Sequence, residues 1–150
     1  MTKEVTLKQV QGITFVAKAN SNHWVAVDGG SEFGGSLAGS TPKELVLMGL
    51  AGCTAMDVVP ILKKKRAPLQ KLEINVRANE REEHPRIFTD IHVEYVFYGD
   101  GLKPEDIERA IELSTTKYCS VSAILRASAP ITHSFRIVPA ADPAATTPSQ

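Results

Sequence analysis

Polar and apolar residues alternate along most of this chain, and one long stretch breaks the pattern. Val5 to Val10, Ile13 to Ala19 and His23 to Asp28 predict three short strands, joined by turns at Gln11-Gly12 and Asn20-Ser21-Asn22. A glycine- and serine-rich loop, GGSEFGGSLAGS, follows as far as Ser40. No Gly-Lys-Ser/Thr comes after its glycines, so it does not match a phosphate-binding loop. It reads either as a mobile surface loop or as a lid over whatever lies beside the next element.

That element is the exception. From Leu45 to Leu62 nearly every residue is apolar or small, and Lys63, Lys64, Lys65 and Arg66 close the run. The start, Thr41-Pro42-Lys43-Glu44, predicts a helix. Thr41 caps the first free amides, Pro42 suits the first helical position, and Glu44 reaches back to the Thr41 amide. Basic residues at the other end suit a helix C-terminus. Pro60 predicts a kink. A helix apolar on almost every side has to be covered on every side.

Alternation then returns. Leu72, Ile74, Val76 and Ala78 alternate with Glu73, Asn75, Arg77 and Asn79, a strand with one wet face. EREEHPR turns the chain, and Ile87 to Tyr98 comes back with Ile87, Ile91, Val93, Tyr95 and Phe97 on one face. A second helix opens at Pro104 with acid in its first turn, and breaks near Ser114-Thr115-Thr116. A short helix from Val121 to Ala127 and a last strand from Ile131 to Val138 complete the order βββ-α-ββ-αα-β. Strands and helices do not strictly alternate, so the fold class is α+β, with mainly antiparallel sheet packed on helices.

Composition narrows the function classes. At 150 residues the chain is expected to form a single domain over 1–138, with residues 139–150 a disordered tail. Basic and acidic residues balance at 17 each, which argues against nucleic acid or an anionic membrane as partner. The first residues hold no apolar run that would serve as a signal peptide. Asp57 and Pro60 interrupt the long apolar run, so it is expected to be a buried helix rather than a membrane span. Two cysteines without a secretory signal point to a reducing, cytoplasmic compartment. They are far apart, with no CxxC or HxxxH, so neither a metal nor a bound cofactor is expected.

Each cysteine alone reads as a small buried hydrophobe or as redox chemistry. Cys53 lies deep inside its helix among Gly49, Ala51, Gly52 and Thr54, small residues that let a backbone or substrate approach. Asp57, one turn on, would raise its pKa. Cys119 sits just before a short helix, where amides favour a thiolate, so it is the easier thiol to ionise. Asp57, an acid in an apolar helix, needs a hydrogen-bond partner, for which Ser120 and Ser122 are candidates, or has a role in a site. Of the histidines, His84 falls in a turn, His92 on the polar strand face and His133 on the face of Ile131, Phe135 and Ile137. The last predicts a hydrogen-bonded, near-core histidine.

The run from Thr41 to Val59, TPKELVLMGLAGCTAMDVV, followed by a hairpin, a helix and KYCSVSAIL, resembles the OsmC/Ohr superfamily, most closely its YhfA-type branch. The resemblance spans about residues 5 to 138. It implies an OsmC-like fold in which sheets wrap long central helices of an intertwined homodimer, with sites at the subunit interface. It also implies a thiol peroxidase acting on organic hydroperoxides. In that role Cys53 matches the attacking cysteine and Cys119 the resolving one, which condenses with the Cys53 sulfenic acid to a disulfide. An external dithiol of the dihydrolipoamide type would reduce it. Leu50, Met48, Met56, Phe33 and Trp24 would favour a fatty or aromatic peroxide.

Two features depart from the peroxidase pattern. Those members use an arginine from the N-terminal strands to stabilise the thiolate. Here no arginine precedes Arg66, which leaves the role to Lys18, His23 or a partner-chain residue. They also carry a glutamate directly after the helix-opening proline, where this chain has Lys43, and Glu44 follows one place later. The alternative is therefore a redox-sensing or small-molecule-binding protein on the same fold, with little or no turnover.

Overall fold

The computed structural model describes residues 1–140. Most of the expected tail lies outside the described residues, while at its start the Ala140 amide donates to Asp100 Oδ1 at 3.1 Å. The chain forms two compact units, the first ending at Met48 and the second beginning at Gly49.

In the first unit, β1 (Val5–Gln11), β2 (Thr14–Ala19) and β3 (Trp24–Val27) make an antiparallel sheet in chain order. Val5 pairs with Ala19, and Phe15 with Val27. The three elements and their turns follow the alternation of the sequence.

The loop after β3 is not loose, which removes the reading of a mobile segment. The Asp28 carboxylate accepts from the Gly29 amide (2.7 Å), the Thr14 hydroxyl (2.9 Å), the Ser36 hydroxyl (2.9 Å) and the Ala38 amide (3.1 Å). One buried acid thus ties both ends of the loop to β2. Gly35 is required by close approach, since a Cβ there would stand 2.0 Å from the Gly29 carbonyl oxygen.

The Gly29 amide bond, working against burial and joined by Thr14, Ser36 and Ala38, holds the Asp28 carboxyl far below the usual carboxylate range. A carboxyl lowered by folding stabilises above its unfolded pKa of about 4 and loses that contribution as pH falls through the folded value. Asp28→Asn should therefore lower the thermal midpoint at neutral pH. In strong acid the variant and the parent chain should converge, as thermal unfolding followed across pH will read.

The long helix α1 (Pro42–Lys64) starts in the first unit, where the expected capping box is present. The Thr41 amide donates to Glu44 Oε2 at 2.8 Å and the Glu44 amide to Thr41 Oγ1 at 3.5 Å. The helix is continuous through Pro60. By length and composition it could cross a membrane, with a mean hydropathy of 2.0 over its most apolar window, of which 22% is buried. Its fully buried positions are Leu50, Thr54, Val58 and Leu62, one residue per turn along a single stripe.

In the second unit, β4 (Lys71–Glu80) and β5 (Phe88–Tyr98) form the expected antiparallel hairpin, with Val76 opposite Val93. Ile87 lies outside the strand and is partly exposed. Ile91, Val93, Tyr95 and Phe97 are buried on the face the alternation assigns. α2 (Pro104–Leu113), a π-turn (Ser114–Tyr118) and α3 (Ser120–Arg126) lead to β6 (Ile131–Val138). β6 lies on the far side of β5 and runs parallel to it, because the intervening helices return the chain to the starting edge before it pairs. Phe97 stacks at 6.0 Å on Tyr95 and meets Phe135 edge-on at 6.3 Å.

Candidate active site

Three side chains from distant parts of the second unit converge. Cys53 and Asp57 are one turn apart on α1, and Cys119 joins the π-turn to α3. Their sulfur and carboxylate oxygen atoms all lie within 4.8 Å of one another. Both cysteines are free thiols, Cys53 partly exposed and Cys119 only 4% exposed. A π-turn inserts one residue into the helical ladder, here closed by the Cys119 amide on the Ser114 carbonyl at 2.8 Å. That extra residue lets Ser114 and Cys119 face α1 together. The Ser114 hydroxyl donates to Asp57 Oδ2 at 3.0 Å. The partner of Asp57 is thus Ser114, neither Ser120 nor Ser122, because the π-turn decides which hydroxyl points at α1.

The two thiols are electrically unequal. Cys119 is the N-cap of α3, and its sulfur accepts from the Ser122 amide at 3.4 Å. Burial acts to raise the Cys119 pKa, but interactions with Ser122, Cys53 and Thr54 outweigh it and bring the thiol below its ordinary value. The Ser122 hydroxyl is buried without a hydrogen-bond partner of regular geometry, yet it is near enough to favour the charged sulfur. Cys53 moves the other way. Burial raises its pKa first, the Val121 amide opposes this, and Cys119 and Asp57 add to the rise. Every charged neighbour acting on Cys53 is therefore an anion. Of the two thiols, Cys119 is therefore the one that ionises more readily.

Behind the thiols runs a buried polar chain. Thr54 Oγ1 lies 3.7 Å from Cys119 Sγ, and the same side chain acts on the Tyr95 hydroxyl. The Tyr95 hydroxyl is 3.2 Å from His133 Nδ1. Burial, then Arg126 and His92, lowers the His133 pKa, which favours a neutral ring hydrogen-bonded to Tyr95 through Nδ1. His133 is the near-core, hydrogen-bonded histidine that the strand pattern predicts. It also lines an open cavity of about 250 Å³ with Glu108, Ile111, Glu112, Ser134 and Phe135. His92 is not simply solvated: its ring nitrogens meet Thr132 Oγ1 at 2.7 Å and Ser134 Oγ at 2.8 Å, since parallel β6 places two hydroxyls beside it.

The other sequence candidates belong to the first unit. Glu44 is occupied in the capping box. Lys18 stands over the Trp24 ring at 5.0 Å. His23 is exposed just before β3. Of the residues expected to surround the site, Leu50 is buried, whereas Met56 is 78% exposed, because it lies about 200° around the helix from Thr54. The residues that sequence reasoning missed are Thr54, Tyr95 and Ser114. Their only signal was a polar group at an otherwise apolar position, and a threonine, a tyrosine and a serine are too common there to stand out.

Comparison with known proteins matches this fold. The model of the family described as OsmC-like protein matches residues 33–134. Protein YhfA of Escherichia coli (strain K12) is 41% identical over 137 residues, covering 91% of this chain and 99% of that protein. A hypothetical protein from Aquifex aeolicus VF5 superposes with a TM-score of 0.82 at 32% identity, over 94% of this chain and 99% of the other. An organic hydroperoxide resistance protein OsmC from Legionella pneumophila shares the fold with a TM-score of 0.68 at 14% identity, over 90% of this chain and 96% of the other. The chain belongs to the OsmC-like protein family.

Proposed function

We propose that this protein is a thiol-dependent peroxidase that reduces organic hydroperoxides through Cys53 and Cys119. The observation that carries the proposal is the proximity of the two sulfurs, one raised and one lowered in pKa, within 4.8 Å of each other. Cys119 takes the Cys53 proton as the Cys53 sulfur attacks the distal peroxide oxygen. The O–O bond breaks, Cys53 becomes a sulfenic acid and alkoxide leaves. The alkoxide recovers a proton from Cys119, and the Cys119 thiolate then displaces hydroxide from the sulfenic acid to close the disulfide. Two thiols are oxidised by two electrons and one peroxide is reduced to alcohol and water. An external dithiol of the dihydrolipoamide type returns the pair to thiols. A cytoplasmic, reducing setting suits that cycle.

The test is direct. Tert-butyl hydroperoxide in slight excess is expected to convert two free thiols per chain into one Cys53–Cys119 disulfide, read by thiol titration and intact mass. Two thiols surviving excess peroxide would sink the proposal.

The uncovered faces of α1 support a homodimer with the site at its interface. Val46, Met48, Met56 and Val59 are exposed, and a Cβ added at Gly49 or Gly52 meets nothing within 4 Å. Gly52→Leu is therefore tolerated within one chain but expected to block a second copy from approaching. Sedimentation should shift from dimer to monomer, and a dimer unaffected by Gly52→Leu would count against this interface.

One observation favours a second reading, a redox sensor or small-molecule binder with little turnover. Cys53, the more accessible thiol, has its pKa raised. Stoichiometric oxidation without turnover in the presence of a dithiol reductant would select that reading.

A further inference from the structure

We infer that the reduced site also binds a thiophilic divalent cation of the zinc class, held by Cys53 Sγ, Cys119 Sγ and a carboxylate oxygen of Asp57. The three donor atoms already lie within 4.8 Å of one another. Zinc–sulfur bonds of about 2.3 Å and zinc–oxygen bonds of about 2.0–2.2 Å set tetrahedral donors roughly 3.5–4 Å apart, so small side-chain rotations suffice. Two thiolates and one carboxylate form a donor set that suits zinc better than magnesium or calcium. Water or the Ser122 hydroxyl, which is fully buried beside Cys119, completes four-coordination.

The supporting contacts are those a metal site uses. The Ser114 hydroxyl holds Asp57 Oδ2 and so orients the carboxylate, and the Ser122 amide points at the Cys119 sulfur. Spacing along the chain hides this site, because counting cysteines and histidines omits the carboxylate that the fold supplies.

The cation uses the same dithiol as the proposed peroxidase but does not depend on peroxide chemistry. Bound, it occupies both sulfurs and shields them from oxidation, so metal and peroxide exclude each other at this site.

The experiment titrates the fully reduced full-length chain with Co²⁺ under anaerobic conditions and then displaces it with Zn²⁺. One ion per chain is expected, with a sulfur-to-cobalt charge-transfer band and both thiols protected from alkylation until a chelator is added. Cys119→Ser should abolish the band, and Asp57→Asn should weaken binding tenfold or more. Affinity unchanged in Asp57→Asn, or equal alkylation rates with and without Zn²⁺, overturns the inference; the second readout needs no variant to fold. Peroxide separates the two proposals. Disulfide formation undiminished by saturating Zn²⁺ overturns the cation site and leaves the peroxidase standing. Thiols protected by Zn²⁺ that form no disulfide after chelation sink the peroxidase and leave the cation site.

Discussion

Cys119→Ser is expected to abolish disulfide formation completely while leaving Cys53 oxidisable. Peroxide should stop at a Cys53 sulfenic acid that dimedone traps, one adduct per chain by mass. Cys53→Ser should give neither disulfide nor adduct at equal peroxide, because Cys119 is only 4% exposed and reacts slowly with reagents from solution however readily it ionises. The same variants read the electrostatics. The bond from Cys53 to Cys119 and the charge on Cys119 both raise the Cys53 pKa. Removing Cys119 should therefore move the alkylation profile of Cys53 to lower pH. In the parent chain the first inflection should belong to Cys119. An unshifted Cys53 profile in Cys119→Ser would mean that the two sulfurs do not share a proton.

The second large effect is on stability. Phe97 is fully buried, stacked on Tyr95 and edge-on to Phe135. Phe97→Ala should cost about 3–5 kcal/mol through lost transfer energy and the cavity left behind. Such a loss approaches the whole stability of an ordinary domain, which is about 5–15 kcal/mol. It should appear as a lower urea midpoint with an unchanged slope. The change also reaches the site. Tyr95 loses one of its ring neighbours, and its hydroxyl links Thr54, beside Cys119, to His133. Phe97→Ala should therefore raise the alkylation rate of Cys119 by loosening the wall that buries it. A cost under about 1 kcal/mol would mean that the core collapses around the gap.

Much of the fold is legible along the chain, because strands and helices bury one side in a repeating way. The period-two runs of β1, β2, β4 and β5 and the capped start of α1 lie where the pattern puts them. The parallel course of β6 is not legible, since a strand's own alternation carries no information about which neighbour it joins or in which direction. The tethering of the glycine loop is also hidden. Asp28 looks like any turn acid until five hydrogen bonds from four residues are brought around one carboxylate.

For the site the division has one physical cause. By itself the sequence determined the residue types, the family resemblance and the helix-start setting of Cys119. Cys119 at a helix start beside Ser122 is a local fact that helps lower its pKa, whereas the rise at Cys53 comes first from burial, which the fold supplies. Only the tertiary structure decided that these sulfurs meet, that Asp57 is held by Ser114 and that Thr54, Tyr95 and His133 back the pair. Local rules act over one helical turn. The pairing of positions 53 and 119 depends instead on a hairpin, two helices and a π-turn closing the distance, and no single segment encodes that closure.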